Sequence, residues 1–390
     1  MKRVVLLGGG YVTLHAYGAL VRRLRGELRR GEIEIVVISA DTVHNFHGFT
    51  GEVVAGLLPI ALTQTPLTEA MPRARVLHAR VTRVDLVARR VHFTGGELAY
   101  DALVVGTGGR EPLDAVDGLA GRGLTLRGPG DLADLLQRVQ VLDGPVVVVG
   151  GGLAGVELAA ALAARAAPVV LVQSADRVVP ALHTEQPRLA ARCTAELGRL
   201  GVDVRTGVRV AAVDDGSVTL SDGSVVRTHV VLATTGQRAV ALAGLESLPR
   251  DDRGRLVTTR DLLVAPDVWC AGDAACVAHP RSGLPVTANA LWAIKAGDHV
   301  GRNVARALRG RAGTPFRYLG LGQAASFGVG RGVADLYGFP LTGWVAWLMR
   351  VGFFLRFMPS RSRALRVPGE LAGRSRAGGP PTSLQTAVPR

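Results

Sequence analysis

The chain contains few cysteines, and they are widely spaced. Cys193, Cys270 and Cys276 are the three cysteines among 390 residues, and they form no Cys-x-x-Cys or Cys-x4-Cys pair. This pattern argues against a disulfide framework, a redox-active dithiol relay and a cysteine-based metal centre. We expect no bound metal, and we interpret Cys270 and Cys276 as small buried hydrophobic residues.

Lysine and aromatic residues are also scarce. Lys2 and Lys295 are the two lysines, aromatic residues make up 5% of the chain, and arginine brings the formal net charge to +14. The arginines lack the interleaved aromatic residues of a base-stacking surface, which argues against nucleic-acid binding. Anionic lipid or anionic cofactors are the remaining partners for such a basic chain.

Long apolar runs are missing from the sequence. No stretch reaches the ~18 consecutive apolar residues that a membrane-spanning helix needs. The apolar run that follows Lys2 and Arg3 ends at Gly8, too early for a signal peptide, so it predicts a first buried strand. A hydrophobic content of 48% with 20% charged residues indicates a globular protein, and 390 residues suffice for two domains.

Two segments repeat one pattern, in which an apolar strand leads into a glycine cluster and then into an Ala/Leu-rich stretch. Residues 4–13 read VVLLGGGYVT, and residues 146–155 read VVVVGGGLAG. A second apolar strand follows each of them, at residues 34–38 and at residues 169–172. The pattern predicts two βαβ units.

The two repeats also close in the same way. Residues 100–108 read YDALVVGTG and residues 230–236 read VVLATTG, each after a run of short strands and turns. Duplication on this scale is more informative than either glycine cluster alone. We therefore predict an α/β fold with two Rossmann-like, three-layer domains that bind dinucleotides.

The glycine clusters fit the turn that places a helix N-terminus on a pyrophosphate. In Gly-x-Gly-x-x-Gly the first glycine permits the tight turn, the second lets the backbone approach the pyrophosphate, and the third lets helix and strand pack closely. The second repeat has all three glycines, whereas a threonine replaces the third in the first repeat: Gly150, Gly152 and Gly155; Gly8, Gly10 and Thr13.

The acid that usually follows the second strand of such a unit is missing from both repeats. Ser39 occupies its position in the first repeat, with Asp41 two residues later. Gln173 occupies it in the second, with Asp176 and Arg177 nearby. An acid there accepts the ribose 2′-hydroxyl and repels a 2′-phosphate, so the sequence leaves the choice between NADH and NADPH open.

The whole pattern resembles the FAD-dependent pyridine nucleotide oxidoreductases of the glutathione-reductase-like fold. The double glycine motif and the two Thr-Gly strand ends are shared with many of these flavoenzymes, as is VWCAGD at 268–273. Further stretches resemble the type II, non-proton-pumping NADH dehydrogenase branch over residues 1–366. They are residues 44–56, NALWAIKAG at 289–297, PFRY at 315–318 and GWVAW at 343–347.

The resemblance implies the residues that hold each dinucleotide. For FAD they are Gly8, Gly10, Tyr11, Thr13, Ser39, Asp41, Val81, Thr107, Gly108, Gly272, Asp273 and Leu291. For NADH or NADPH they are Gly150, Gly152, Leu153, Ala154, Gly155, Glu157, Gln173, Thr235 and Gly236.

The resemblance also implies the reaction. Nicotinamide would reduce the flavin, which does the redox chemistry while the protein aligns the two rings and excludes water. Glu157 falls where the family places an acid near the nicotinamide ribose and the flavin, and Lys295 lies on the helix beside the quinone; we expect both to be catalytic. From its position alone, Glu157 is equally an acid at a helix start, where the helix dipole favours it.

The electron acceptor is implied to be a membrane quinone. The family's helix beside the flavin usually carries glutamines where this chain has Leu291 and Ala296. Leu291 and Trp292 either line a quinone channel or simply pack the helix. Two other functions therefore stay open: a soluble NAD(P)H reductase for a protein or small acceptor, and a flavin-binding sensor or assembly factor.

Residues 343–359 predict a short aromatic helix beside clustered arginines. Such a helix suits docking on anionic lipid, which predicts a peripheral protein on the cytoplasmic face of the cell membrane. A core helix or a dimer interface is the alternative, and a homodimer stays open. The arginines of this cluster are Arg350, Arg356, Arg361, Arg363 and Arg366.

These elements give a division of the chain into five parts. The FAD-binding domain comprises residues 1–115 and 255–315, and the NAD(P)H-binding domain comprises residues 116–254. The membrane-docking region spans residues 316–368. The Gly-, Pro- and Arg-rich residues 369–390 predict a disordered tail.

Overall fold

The computed structural model describes residues 1–377, which form two mainly parallel, helix-covered sheets and a C-terminal region. The helices are α1 (Tyr11–Arg23), α2 (Arg25–Arg29), α3 (Thr50–Val54), α4 (Leu67–Ala70), α5 (Leu119–Arg122), α6 (Asp131–Gln140), α7 (Leu153–Ala164), α8 (Pro180–Glu185), α9 (Pro187–Arg199), α10 (Ala290–Ala307), α11 (Gly343–Phe357) and α12 (Arg361–Ala377). Short 3-10 helices lie at His47–Phe49, Ile60–Leu62, Leu113–Ala115 and Gly272–Ala274.

The strands are mostly short. They are β1 (Lys2–Leu7), β2 (Ile33–Ser39), β3 (Val43–Asn45), β4 (Gln64–Pro66), β5 (Arg75–His78), β6 (Val81–Asp85), β7 (Arg90–Phe93), β8 (Gly96–Ala99), β9 (Ala102–Val105), β10 (Gly109–Arg110), β11 (Gly123–Leu124), β12 (Val146–Val149), β13 (Val169–Gln173), β14 (Asp203–Thr206), β15 (Val210–Asp214), β16 (Ser217–Leu220), β17 (Val225–Arg227), β18 (Val230–Ala233), β19 (Arg238–Ala239), β20 (Leu256–Val257), β21 (Leu263–Ala265), β22 (Val268–Cys270), β23 (Ala275–Cys276), β24 (Gly322–Ser326), β25 (Gly332–Leu336) and β26 (Phe339–Thr342).

The first sheet has the strand order β21-β22-β9-β1-β2-β5. Its central strand β1 pairs in parallel with β2 and β9, and β22 returns late in the chain to pair in parallel with β9. Val4, Leu7 and Val36 are buried, as in a parallel sheet that is covered on both faces. Cys270 on β22 is buried as predicted, whereas Cys276 on β23 is only partly buried.

The second sheet repeats this arrangement, with the strand order β11-β18-β12-β13-β14. Strand β12 lies between β13 and β18, just as β1 lies between β2 and β9. An antiparallel three-stranded sheet accompanies each half, β6-β7-β8 in the first and β15-β16-β17 in the second. The prediction of two Rossmann-like units is confirmed.

Helix α10 packs closely on α1 because small residues line their contact. A Cβ atom at Gly297 would lie 2.6 Å from the Val12 carbonyl oxygen, and one at Gly301 would lie 2.4 Å from the Ala16 carbonyl oxygen. The helix begins at Asn289, whose Oδ1 accepts a hydrogen bond from the Leu291 N–H at 2.7 Å. This contact joins the late part of the chain to the first glycine turn.

The C-terminal region consists of an antiparallel sheet, β24-β25-β26, and helices α11 and α12. The predicted aromatic helix is present as α11, and Trp347 and Val351 on its inner face pack in one cluster with Phe46 and Phe49. None of the helices within residues 1–377 has both the length and the apolar character needed to cross a bilayer.

Helix α12 corrects part of the predicted tail. It continues through Pro368 to Ala377, so the segment 369–377 is helical. Val367 and Leu371 are buried beside α11, and this packing supports the helix despite the internal proline. The rest of the predicted tail, residues 378–390, lies outside the described residues.

Candidate functional site

The first glycine turn joins β1 to α1 and leaves the N-terminus of α1 free to meet an anion. Gly8 has φ +94°, and a Cβ atom there would lie 2.6 Å from the Gly106 carbonyl oxygen, so glycine is required. Gly10 is the N-cap of α1 without any side-chain cap, and a Cβ atom there would find open space. Uncapped N–H groups facing open space suit a pyrophosphate.

The second glycine turn, between β12 and α7, has the same geometry. Gly150 has φ +110°, with the Thr234 carbonyl oxygen 2.6 Å from the position of a Cβ atom. Gly152 is the uncapped N-cap of α7, and Leu153 and Ala154 are the first two residues of that helix. The molecule therefore carries two equivalent cradles for diphosphates.

The two cradles differ at the third glycine position. A Cβ atom at Gly155 would lie 1.9 Å from the Gly150 carbonyl oxygen, which leaves room for glycine alone. Thr13 fits the first cradle because its buried hydroxyl donates a hydrogen bond to the Leu7 carbonyl at 3.3 Å. In the second cradle the comparable hydroxyl belongs to Thr234, the residue that follows β18. It donates a hydrogen bond to the Val149 carbonyl at 2.9 Å.

Unpaired hydroxyls lie where the last strand of each unit ends. The Oγ1 atoms of Thr107 and Thr235 are buried without a hydrogen-bond partner within residues 1–377. Gly108 and Gly236 follow them with φ +71° and +96°, and a Cβ atom at either would meet open space. Buried polar atoms without partners are costly, so these two hydroxyls fit a ligand in each cradle.

The ribose positions lie against the middle glycine of each turn. The Ser39 hydroxyl lies next to Gly9 and accepts a hydrogen bond from the Asp41 N–H at 3.1 Å. Burial raises the pKa of Asp41. Ser39 also pairs across the sheet with His78, three residues before Val81 at the start of β6.

Asp273 lies in the 3-10 helix that follows β22 and reaches the same end of the first sheet. Gly272 has φ +68° and contacts the region of Val12 on α1. The Asp273 carboxylate lies 3.6 Å from a guanidinium nitrogen of Arg127, but burial outweighs this charge and raises the pKa of Asp273. Arg127 also donates to Glu111 at 2.9 Å. Sequence reasoning missed Arg127 because it is one arginine among many and lies outside any motif.

Tyr11 and two histidines line the entrance to α1. The Tyr11 hydroxyl accepts a hydrogen bond from the His47 N–H at 3.0 Å, and its ring meets the His44 ring edge-on at 4.9 Å. Nδ1 of His44 lies 2.9 Å from the Gly9 carbonyl oxygen, and burial lowers the pKa of His44. A neutral His44 therefore donates this bond and supports the first turn.

A buried ionic cluster joins the two units to the C-terminal helix α11. Arg350 is 3% exposed and donates to Glu52 on α3 at 2.6 Å and to Glu157 on α7 at 2.5 Å. Glu157 also accepts a hydrogen bond from the Ser326 N–H at 2.9 Å. Arg350 is therefore not a lipid-facing residue, and that part of the predicted arginine cluster is wrong. Glu52 and Arg350 were not predicted as site residues, since nothing in the sequence brings α3 and α11 together.

The cluster holds more negative than positive charge when both acids are ionised. Burial raises the pKa of Glu157 to about 7, and Glu52 adds to this effect while Arg350 opposes it. Oε2 of Glu52 is buried without a partner in the described chain. A proton on Glu157 balances one guanidinium against one carboxylate, so the cluster is able to take up and release a proton near neutral pH.

Helix α10 carries three of the residues that the sequence singled out. Lys295 is exposed on α10, and its catalytic role stays a prediction. Leu291 is 7% exposed at the first turn of α10. Trp292 packs edge-on against Tyr318, with 4.7 Å between ring centroids. Trp292 also lines a pocket together with Gly272 and Asp273, so both uses considered for it stay open.

Comparisons with known proteins agree with this geometry. A family model described as pyridine nucleotide-disulphide oxidoreductase matches residues 2–293. An NADH dehydrogenase-like protein of Mycobacterium tuberculosis is 34% identical over 300 residues, which cover 70% of this chain and 73% of the relative. A demethylphylloquinone reductase of Synechocystis sp. is 29% identical over 387 residues, 94% of each protein.

Among solved structures, NDH2 from Plasmodium falciparum in complex with NADH shares the fold, with a TM-score of 0.82 at 13% identity. The match covers 97% of this chain and 99% of that chain. The two cradles and their unpaired hydroxyls fit a pair of dinucleotides. The chain therefore belongs to the pyridine nucleotide-disulphide oxidoreductase family, and its two dinucleotides are FAD and either NADH or NADPH.

Proposed function

We propose that this protein transfers a hydride from a nicotinamide dinucleotide to FAD and passes the electrons on to a membrane quinone. The relative from Synechocystis, a demethylphylloquinone reductase, supports this direction. The buried cluster of Glu52, Glu157 and Arg350 carries the proposal, because it provides a proton-exchanging group where α3, α7 and α11 meet.

The chain's own residues would hold the two dinucleotides at opposite cradles. The first turn with Thr107 and Asp273 would bind FAD, and the second turn with Thr235 would bind the nicotinamide dinucleotide. Bound FAD supplies the ring that accepts a hydride and releases electrons. The protein contributes two preorganised helix N-termini and the buried polar atoms that would otherwise stay unpaired.

The cluster suits a quinone because quinone reduction consumes protons as well as electrons. A two-electron reduction to the quinol adds two protons, so a buried site needs a group that exchanges protons at the working pH. The pKa of Glu157, at about 7, meets this requirement. Arg350 keeps the carboxylate oriented through its short hydrogen bond at 2.5 Å.

The outer face of α11 supports docking on a bilayer, and we place this docking on the cytoplasmic side as part of the proposal. Val345 and Leu348 are 62% and 56% exposed, and Phe339 on the adjacent strand β26 is 72% exposed. Arg356 and Arg366 are also exposed and lie on α11 and α12. Exposed apolar residues beside arginines fit an anionic lipid surface, where a quinone would be delivered.

Stopped-flow spectroscopy of the purified flavoprotein tests the proposal in two steps. NADH or NADPH should bleach the yellow oxidised flavin without oxygen, and a short-chain quinone should then restore its colour within catalytic turnover. Failure of both nicotinamides to bleach the flavin would contradict the first step. Reoxidation by small soluble acceptors but by no quinone would favour the soluble reductase instead.

A further inference from the structure

The position that normally selects NADH against NADPH is occupied by a fixed, neutral side chain. Gln173 is the last residue of β13, and it is 9% exposed. Its Oε1 atom accepts a hydrogen bond from the Gly151 N–H at 2.8 Å, and a Cβ atom at Gly151 would lie 2.9 Å from the Cβ atom of Gln173. Gln173 is therefore held against the glycine turn.

This arrangement changes what the position offers to an adenosine ribose. A carboxylate there accepts the 2′-hydroxyl and repels a 2′-phosphate. Because Oε1 of Gln173 already accepts from Gly151, the amide has its N–H groups left, and these donate hydrogen bonds. A phosphate oxygen is a better partner for such a donor than a hydroxyl. The repulsion between a carboxylate and a 2′-phosphate is therefore replaced by attraction between the Gln173 amide and that phosphate.

The loop that follows carries a guanidinium four residues after Gln173, on Arg177. Arg177 pairs with Asp176 at 2.6 Å, and the two side chains are 52% and 71% exposed. An exposed pair of this kind contributes little to stability, so a phosphate dianion can replace the carboxylate at little cost. Two backbone hydrogen bonds hold the loop: the Val179 N–H donates to Gly151 at 2.7 Å, and the Gly207 N–H donates to Ala175 at 2.8 Å.

We infer that the second cradle accepts the 2′-phosphate of NADPH, with Gln173 and Arg177 as its specificity-determining residues. The inference rests on the proposed function, because it names the nicotinamide that the same site takes. Asp176 is the carboxylate in this loop, and it is the group that a 2′-phosphate would displace from Arg177.

Calorimetric titration of the oxidised, FAD-loaded protein tests the site without turnover. The probes are adenosine 2′,5′-bisphosphate and 5′-AMP, which differ by the 2′-phosphate. The wild-type protein should bind the bisphosphate more tightly. Arg177→Met should weaken bisphosphate binding about tenfold and leave 5′-AMP unchanged, because one charge-assisted contact is lost.

Gln173→Glu is the complementary variant, because a glutamate keeps an acceptor for the Gly151 N–H. It should weaken bisphosphate binding by about tenfold or more and preserve 5′-AMP binding. Arg138→Met is the matched control, since Arg138 forms a comparable exposed pair with Asp134 at 3.2 Å in the same part of the chain. It should change neither affinity, and thermal melting of each variant checks that it is folded.

The outcomes separate this inference from the proposed function. If the wild-type protein binds 5′-AMP as tightly as the bisphosphate and Arg177→Met changes nothing, the inference is wrong, even when NADH reduces the flavin normally. If neither nicotinamide reduces the flavin but the bisphosphate binds with the expected dependence on Arg177, the proposed function fails and the 2′-phosphate site stands.

Discussion

Arg350 on α11 donates a hydrogen bond to Glu157 on α7 at 2.5 Å, across 193 residues of sequence. The same guanidinium donates to Glu52 on α3, so one buried side chain joins three separate parts of the chain. The ion pairs of Arg350 hold the inner face of α11 against α3 and α7, while Val345 and Leu348 on its outer face stay exposed. The inner face of α11 therefore anchors the helix to the protein, and its outer face is open to solvent.

Replacing Arg350 should destabilise the protein strongly. Arg350→Met leaves Glu52 and Glu157 buried without their cation, and removing one partner of a buried ion pair typically costs about 3–5 kcal/mol. Urea denaturation followed by circular dichroism measures the loss in free energy of unfolding. Arg356→Met, at an exposed position of the same helix, is the control and should stay within about 0.5 kcal/mol of wild type.

Equal stability of the two arginine variants would contradict this account of the cluster. It would mean that the two acids do not need the buried cation, and that Arg350 contributes packing rather than charge. Arg350→Lys distinguishes charge from geometry, because lysine keeps the charge but lacks the planar fork that reaches both acids.

The raised pKa of Glu157 predicts a specific dependence of stability on pH. The folded carboxyl has a pKa of about 7 against an ordinary value of 4.5, so the folded state keeps a proton that the unfolded state has lost between these values. The stabilisation from this group is fully present below about pH 4.5 and is lost as the pH rises through about 7. The free energy of unfolding should fall over this range.

Glu157→Gln removes the titration and should flatten that part of the pH profile, measured by denaturation at several pH values from 5 to 8. Glu185→Gln, at an exposed position of α8, is the matched control and should keep the wild-type slope. A profile that is identical for wild type and Glu157→Gln would show that Glu157 does not hold the proton.

The sequence predicted the features that local geometry enforces. Gly8 and Gly150 both need positive φ and tolerate no Cβ atom, so the sequence alone predicts a tight turn at each of them. The duplicated strands around them are apolar because both faces of each sheet are covered, which again is a local signal. Two βαβ units followed from these signals, whereas the strand order of each sheet came from the structure.

The ionic cluster could not be predicted, because its members have no local signature. Glu52 lies in an ordinary helical turn, and Arg350 interrupts an aromatic helix in which an arginine equally suits a lipid surface. Only the packing of α11 on α3 and α7 turns Arg350 inward. For the same reason, the pairing of Arg127 with Asp273 became visible only once the 3-10 helix was placed.

Gly155 should be intolerant of any side chain. Gly155→Ala places a Cβ atom 1.9 Å from the Gly150 carbonyl oxygen, which forces α7 away from β12 and opens the second cradle. We expect a loss of about 1–3 kcal/mol in stability, as for other overpacked sites, together with weaker nicotinamide binding and unchanged FAD content. Denaturation, titration with the oxidised nicotinamide and flavin absorbance measure the three effects.

Gly198→Ala is the control for this glycine. Gly198 lies within α9, and a Cβ atom there would meet open space. Alanine is the better helix former, so this variant should gain about 0.5–1 kcal/mol. Comparable destabilisation by the two variants would mean that the close contact at Gly155 is not what limits substitution.

The outer face of α11 should control attachment to lipid. In Val345→Ser/Leu348→Ser, two exposed apolar side chains are replaced, so the fold should survive while affinity for vesicles of anionic phospholipid falls about tenfold or more. Flotation with such vesicles measures binding, and thermal melting checks the fold. Val87→Ser replaces a 98% exposed valine at the turn between β6 and β7 and should bind vesicles like wild type.

Salt and lipid charge then separate the two contributions to docking. Binding that depends on Arg356 and Arg366 should weaken as ionic strength rises and should be lost on neutral vesicles, because exposed charges are screened over about 10 Å at 0.1 M salt. The apolar contribution should persist under both conditions. If the double serine variant floats like wild type at every salt concentration, α11 does not contact lipid, and its exposed face would instead have to meet another protein surface such as a second copy of this chain.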